Sequence, residues 1–221
     1  MSNILWVLYN HIYTRLPRLL KYQISRLVYK PQIDHKATVA GCPEFHQHVI
    51  IGRYSSIQDE SFFAQCEIGK YCACAKGVRF LHTQHRIKAF SQLGRLGEMP
   101  FCRDTDSSDL KRPGGAIILP VSHIGNDVWL GEFCTVKCGC NIGDGAVIGA
   151  RAVVTHDIPA YAIAVGVPAV VKGYRFEPDI IQRFEDIKWW DWSESEISDR
   201  YDELCSIANG DAKRNEDLDN A

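Results

Sequence analysis

Between Ile124 and Pro159 the chain repeats its pattern every six residues. The units run Ile124-Gly-Asn-Asp-Val-Trp, Leu130-Gly-Glu-Phe-Cys-Thr, Val136-Lys-Cys-Gly-Cys-Asn, Ile142-Gly-Asp-Gly-Ala-Val, Ile148-Gly-Ala-Arg-Ala-Val and Val154-Thr-His-Asp-Ile-Pro. The first position is always aliphatic, the second is glycine in four of six units, and the fifth is small or apolar. A strict period of six fits neither an amphipathic helix nor an alternating strand. It is the pattern of a parallel β-helix, in which each unit is one short strand and a turn. The aliphatic residue points inward and stacks on its equivalents in the coils above and below. The second-position glycine is read here as relief for a corner in which a Cβ would be strained. A β-sandwich would instead show irregular turns about every 8–12 residues.

The same register begins earlier. Ile33, Val39, Phe45, Ile51, Ile57 and Phe63 follow one another at six-residue spacing. After Phe63 the register slips by one residue and resumes at Ile68, Cys74 and Phe80. A one-residue slip would turn over every side chain of a strand, so a corner near Gln65–Glu67 must absorb it. Residues 81–117 carry no hexads and hold Pro100, Pro113, four glycines and the polar run Arg103 to Asp109. An insert of that length inside a compact domain is a functional loop or a disordered one. Its root carries His82 and His85.

The ends differ from the middle. Residues 1–30 place Ile4, Leu8, Ile12, Leu16, Leu20, Ile24 and Leu27 at helical spacing, interleaved with Arg15, Arg18, Lys21, Arg26 and Lys30. No uncharged stretch reaches the roughly 18–20 residues of a membrane span, and Pro17 divides the segment. Two readings follow: a helix that caps the solenoid or docks on a neighbouring subunit, or a basic amphipathic helix in peripheral contact with a membrane. Pro178 opens a C-terminal helix carrying Ile180, Ile181, Phe184 and Ile187, which suits the cap that a solenoid needs at its end. The division expected is a helical segment at 1–32, a β-helix over 33–172 with its insert at 81–117, a helical cap over 173–205 and a disordered tail over 206–221.

Composition narrows the partners. With 221 residues and a net charge of −2, the chain offers no electrostatic case for nucleic acid. Of nine cysteines, Cys72, Cys134 and Cys140 fall on small fifth positions and Cys74 on a first position, where thiols act as buried apolar groups. Cys138 falls on an outward position. This usage fits a reduced, cytoplasmic protein. The C-x-C pairs at Cys72 and Cys138 are not zinc-binding units, and no metal site is expected.

The text Ile124-Gly-Asn-Asp-Val-Trp-Leu-Gly131, Ile142-Gly-Asp-Gly-Ala-Val-Ile-Gly149, Gly166-Val-Pro-Ala169 and Ile187-Lys-Trp-Trp-Asp-Trp192 resembles the hexapeptide-repeat acyltransferases. Within them it resembles the branch that holds type B chloramphenicol and streptogramin acetyltransferases and related sugar O-acetyltransferases. The resemblance covers about residues 33–200. It implies an all-β solenoid, specifically a left-handed parallel β-helix, assembled as a homotrimer with acetyl-CoA as acyl donor and active sites between subunits. It implies that His85 is the catalytic base, with His82 as the alternative, because Ile68-Gly-Lys-Tyr-Cys precedes the histidines and His85-Arg-Ile resembles the His-Arg-Met of streptogramin enzymes. It implies coenzyme A contacts at Trp129, Gly131, Ala150, Thr155, Pro168 and Lys172. His156 departs from the lysine common after that threonine.

Chemistry explains the histidine. A thioester is already activated, whereas an acceptor hydroxyl must lose its proton to attack, and neutral imidazole can take it. The acceptor is a small molecule or glycan. Lys88-Ala-Phe-Ser-Gln-Leu-Gly lacks the Asp-Gly-Ser-Thr continuation expected of drug-acetylating enzymes, which favours a sugar hydroxyl in surface polysaccharide synthesis over an antibiotic. Two other classes remain open. A γ-carbonic anhydrase-like zinc site built on His82 or His85 with His123 would need a third histidine, yet positions 118 and 128 are Ile118 and Val128. A non-catalytic scaffold would not need the histidine-bearing insert.

Overall fold

The computed structural model describes residues 15–85, 87–88, 92 and 116–210. The first fourteen residues of the N-terminal segment, most of the insert and the last eleven residues lie outside this range. Helix α1 (Arg18–Tyr29) starts directly after Pro17. The parallel solenoid then winds through about six turns, each presenting three faces. The first coil uses β1 (Gln32–Ile33), β2 (Thr38–Val39) and the start of β3 (Glu44–Ile51). The second uses the end of β3, β4 (Ser56–Ile57) and the start of β5 (Phe62–Ile68), and the third the end of β5, β6 (Ala73–Cys74) and β7 (Arg79–Leu81). The insert leaves along β8 (Thr83–His85) and returns along β9 (Ala116–Ile118). The winding resumes with β10 (Ser122–Ile124), β11 (Trp129–Leu130) and β12 (Thr135–Lys137), then β13 (Val147–Ile148) and β14 (Val153–Val154). β15 (Ala162–Val165) closes it, and β16 (Val170–Tyr174) turns back antiparallel along that last strand.

The first hexad positions form three inward ladders. One holds Ile51, Ile68, Ile124, Ile142 and Ile158, another Ile57, Cys74, Leu130, Ile148 and Ala164, all buried. The third holds Phe45, Phe63 and Phe80 and then Val136 and Val154. Its rings follow one another at 6.0 Å and 5.6 Å, a spacing at which offset aromatic pairs attract. At fifth positions Ser55 and Ser61 are also buried, and each satisfies backbone groups of the next coil. The Ser55 hydroxyl accepts the Cys72 N–H at 3.0 Å and donates to the Gly69 carbonyl at 2.7 Å.

The register slip is visible in the ladder. His46 pairs with Ala64 and Val49 with Cys66, so the second coil takes this corner with one residue fewer. Gln65, with φ of 50°, makes the shortened turn. The second-position glycines have a different reason from the one expected. In the column Gly52, Gly69, Gly125 and Gly143, φ lies outside the left-handed range. A Cβ on Gly125 would instead stand 2.6 Å from the Asp144 nitrogen, and one on Gly69 2.5 Å from the Gly125 carbonyl oxygen. The glycine is needed because successive coils touch backbone to backbone there. The left-handed residue of the same corner comes two places later, at Tyr54, Tyr71, Asp127, Gly145 and Tyr161.

The C-terminal helices follow the last coil and fold back along one corner of the solenoid. α2 (Pro178–Ile187) leads through a 3₁₀ turn at Trp189–Asp191 to α3 (Glu194–Asp199) and α4 (Tyr201–Asn209). Phe184, Trp190 and Ile207 pack with Tyr161 in a second apolar cluster, joined by Tyr71 and Phe176. The Arg53 guanidinium donates to the Trp192 carbonyl at 3.0 Å, Lys70 reaches Asp191 at 2.7 Å, and Lys36 and Tyr54 both contact Glu194. The segment is therefore a strap from the last coil back to the first. The tail expected to be disordered from residue 206 is helical through Asn209, because Leu204, Ile207 and Ala208 form an apolar stripe that packs into that cluster.

Candidate active site

The root of the insert is a two-stranded antiparallel hairpin. Thr83 pairs with Ile118, Gln84 with Ile117 and His85 with Ala116, and the Leu119 N–H donates to the His82 carbonyl at 2.8 Å. A ladder of this kind fixes a short segment that would otherwise be loop. His85 is exposed on it. Side chains alternate along a strand, so His85 shares its side of the ladder with Thr83 and not with Gln84.

His82 has a different setting. Its ring stacks on Phe62 at 5.6 Å and lies 6.5 Å from His46. Burial first, and the neighbouring His46 second, hold it below its ordinary value of 6.5. His82 is thus set against the wall of the solenoid, while His85 stands clear of it.

The six residues assigned to coenzyme A fall into two groups. Trp129 projects from the second face, exposed, between Ala73 and Val147 of the adjoining coils. Gly131 opens the corner that follows, where a Cβ would meet the Ala150 nitrogen at 2.6 Å. Ala150 is exposed one coil on. Pro168 follows a cis peptide bond at the end of the last coil, beside Ala169, whose N–H donates to the Val153 carbonyl at 2.8 Å. Lys172 is exposed on β16, which lies on the same face as Trp129. These five line one face and its edge. Thr155 lies at the far end of the third face, one residue past Val154, in the column that holds Lys137 and Leu81. That is the side from which the insert departs. The Thr155 hydroxyl and His156 Nδ1 are 2.8 Å apart.

A further cluster was not singled out in the sequence. The Glu67 carboxylate lies 2.7 Å from His48 Nε2 and 3.2 Å from His123 Nδ1, and the His48 contact holds it below the ordinary carboxylate range. Glu67 and His123 each stand immediately before a first hexad position, and they pair across adjoining coils. The signal was therefore present in the register.

The buried thiols of the solenoid are unsuited to carrying an acyl group. Cys138, expected to face outward, is buried with its Sγ 3.2 Å from the Ala64 carbonyl oxygen. The Cys138 strand ends in the turn at Gly139, which directs the side chain into the corner. Burial pushes Cys72, Cys134 and Cys138 up to about 12, so they hold their protons near neutrality and are poor nucleophiles. Among the described residues no group of three or more His, Cys, Asp or Glu side chains is arranged to hold a metal ion.

A family model described as bacterial transferase hexapeptide (six repeats) matches residues 122–156. A chloramphenicol acetyltransferase of Escherichia coli is 31% identical over 156 residues, which is 68% of this chain and 70% of that protein. A probable macrolide acetyltransferase of Lysinibacillus sphaericus is 32% identical over 190 residues, 79% of this chain and 91% of the other. The chain belongs to the hexapeptide-repeat acyltransferases. Among solved structures, this acyltransferase is similar to a hexapeptide-repeat acetyltransferase of Vibrio cholerae O1 biovar eltor complexed with acetyl coenzyme A. The TM-score is 0.54 at 20% identity, covering 77% of this chain and 84% of that one, a likeness of fold.

Proposed function

We propose that this acyltransferase moves an acetyl group from acetyl-CoA to a hydroxyl of a sugar, with His85 as the general base. The observation that carries the reading is the hairpin at the root of the insert. It holds an exposed imidazole on an ordered ladder, while burial pushes the Cys72 and Cys138 thiols up to about 12. A base must be held close to the acceptor proton, which favours a rigid root over a loop tip.

The neutral His85 ring accepts the hydroxyl proton as the oxygen attacks the thioester carbonyl. The tetrahedral intermediate collapses with loss of the C–S bond, and the imidazolium returns the proton to the departing sulfur. The products are an O-acetyl ester and free coenzyme A. Such a base contributes roughly 100- to 10,000-fold. Trp129, Gly131, Ala150, Pro168 and Lys172 are assigned to the coenzyme along one face, with Lys172 suited to a phosphate. Thr155 and His85 are assigned to opposite sides of the reacting thioester, in keeping with their shared side of the solenoid. A homotrimer, with sites between subunits, completes the reading.

A second acceptor class is favoured by the relatives, whose names specify chloramphenicol and macrolide. The deciding experiment follows free thiol release from acetyl-CoA with oligosaccharide acceptors, chloramphenicol and a macrolide offered in parallel. Turnover on a sugar that exceeds turnover on either drug supports the first reading. The reverse order supports antibiotic acetylation, and release that needs no acceptor overturns both.

A further inference from the structure

Charge is unevenly divided along this chain. Arg15, Arg18, Lys21, Arg26 and Lys30 lie in the first 33 residues, which contain no Asp or Glu. Of the 25 Lys and Arg and 27 Asp and Glu in the whole chain, every acidic residue and all but five basic ones come later. The N-terminal segment is a basic head on an acidic body.

Helix α1 has two apolar sides. Tyr22, Ser25 and Tyr29 face the solenoid. The Tyr22 ring lies 6.2 Å from Phe45, Ser25 Oγ accepts the Phe45 N–H at 3.3 Å, and the Tyr29 ring lies 4.8 Å from His46. A helix turns about 100° per residue, so Leu20, Ile24 and Leu27 form a stripe on the opposite side. Leu20 is 40% and Leu27 75% exposed, with Leu19 and Val28 exposed beside them. Lys30 borders the stripe on one edge, and Arg26 lies beyond it toward the solenoid, where its guanidinium donates to the Tyr22 hydroxyl at 3.1 Å; both cations are exposed. An apolar stripe edged by cations matches the boundary between phosphate headgroups and acyl chains. Residues 1–14 contain Trp6, Tyr9 and Tyr13 among five aliphatic side chains, with no Lys, Arg, Asp or Glu. Trp and Tyr are the side chains that favour such an interface.

The alternative occupant of this stripe is a second copy of the chain. Arg18 is paired with Asp59 and Glu60 of the solenoid, but face-to-face pairing of two α1 helices would still bring the remaining cations of both together, with no acidic residue on either segment. An anionic surface meets both features at once. We propose that Leu20, Ile24 and Leu27, with Lys30 and Arg26 along one edge, seat the enzyme on an anionic lipid surface as a peripheral contact.

The test is co-sedimentation of the full-length protein with vesicles of phosphatidylcholine alone and of phosphatidylcholine mixed with phosphatidylglycerol. The wild-type protein pellets with the anionic vesicles and is released by salt. Each cation near such a surface contributes about fivefold in affinity, so Arg26→Glu with Lys30→Glu lowers binding by at least about thirtyfold. Leu20→Gln with Leu27→Gln lowers it on the same vesicles. Both double variants melt at the wild-type temperature and retain acetyl transfer to a soluble acceptor. If the leucine variant fails to fold, the charge variant decides alone. Absence of wild-type binding to anionic vesicles, or undiminished binding by the charge variant, overturns the proposal. So does a drop in solution mass in the leucine variant, because the stripe would then be covered by a second copy.

Discussion

The imidazole of His82 lies against the ring of Phe62, 5.6 Å between centroids, on the outside of the third face. This contact separates the two histidines of the insert root, since His82 is anchored to the solenoid and His85 is not. Burial favours the neutral form of His82. The folded state therefore binds its proton less readily than the unfolded chain, whose histidine titrates near 6.5. The associated stability is fully present above that pH and is lost as pH falls below it. The melting temperature should decline between pH 7 and pH 5, and His82→Gln should flatten that decline. An identical slope in the variant would assign the pH dependence to other groups.

His85 should behave oppositely to His82 in catalysis. His85→Ala is expected to lower single-turnover acetyl transfer by roughly 100-fold or more with little change in acetyl-CoA affinity, as removal of a transition-state role requires. His82→Ala should cost far less. Rapid-quench measurements on both variants, with circular dichroism to confirm folding, decide between the two. Inactivity of the His82 variant beside an active His85 variant would reverse the assignment.

Glycine columns should be intolerant only where coils touch. Gly125→Ala places a methyl 2.6 Å from the Asp144 nitrogen and should cost about 2 kcal/mol, the usual scale of overpacking. Gly173→Ala meets nothing within 4 Å and should fall within about 0.5 kcal/mol of wild type. Urea titration of the two variants measures the difference.

The cysteines should separate cleanly by reactivity. Among the described cysteines, Cys205 is exposed and Cys42 half-buried, while Cys66, Cys72, Cys74, Cys134, Cys138 and Cys140 are buried. Brief alkylation of the native protein, followed by peptide mass mapping, should label Cys205 first and leave Cys72, Cys134 and Cys138 unlabelled until denaturant is added. Rapid native labelling of Cys138 would restore it as a candidate nucleophile.

The Arg175 guanidinium donates to Asp127 at 2.8 Å and to the Gly145 carbonyl at 2.7 Å. Burial raises Asp127 and Arg175 opposes that rise. Arg175→Met should destabilise the fold by about 2 kcal/mol, less than the loss from a fully buried pair because both side chains keep some solvent contact. Asp127→Asn in the same background should recover part of the loss in a double-mutant cycle.

The solenoid was legible because one residue's place in a hexad fixes its direction. Ile68 and Ile124 are 56 residues apart, yet both could be assigned to the core from local text alone. Even the missing residue at Gln65 was visible as a broken count. Contacts between hexads were less so. The Gly125–Asp144 approach depends on coil spacing, and the Glu67 bridge between His48 and His123 depends on which columns adjoin. Cys138 was misjudged because the corner after Lys137 does not continue the strand's alternation. At the candidate site, resemblance named His85 and six positions for coenzyme A, but that Thr155 lies apart from the other five needed the winding itself.

An array in which each coil touches only its neighbours is an open string, and such a string can fray from either end one unit at a time. The strap from Tyr161 to Glu194 joins the last coil to Lys36, Tyr54 and Arg53 in the first two. Topologically the string becomes a loop with no free end. Unwinding of the first two coils then also strips the partners from Glu194 and Trp192, so losses at one end are felt at the other. The chain should unfold as a single cooperative unit, with tryptophan fluorescence and backbone dichroism changing together, where an unstrapped solenoid would come apart in steps.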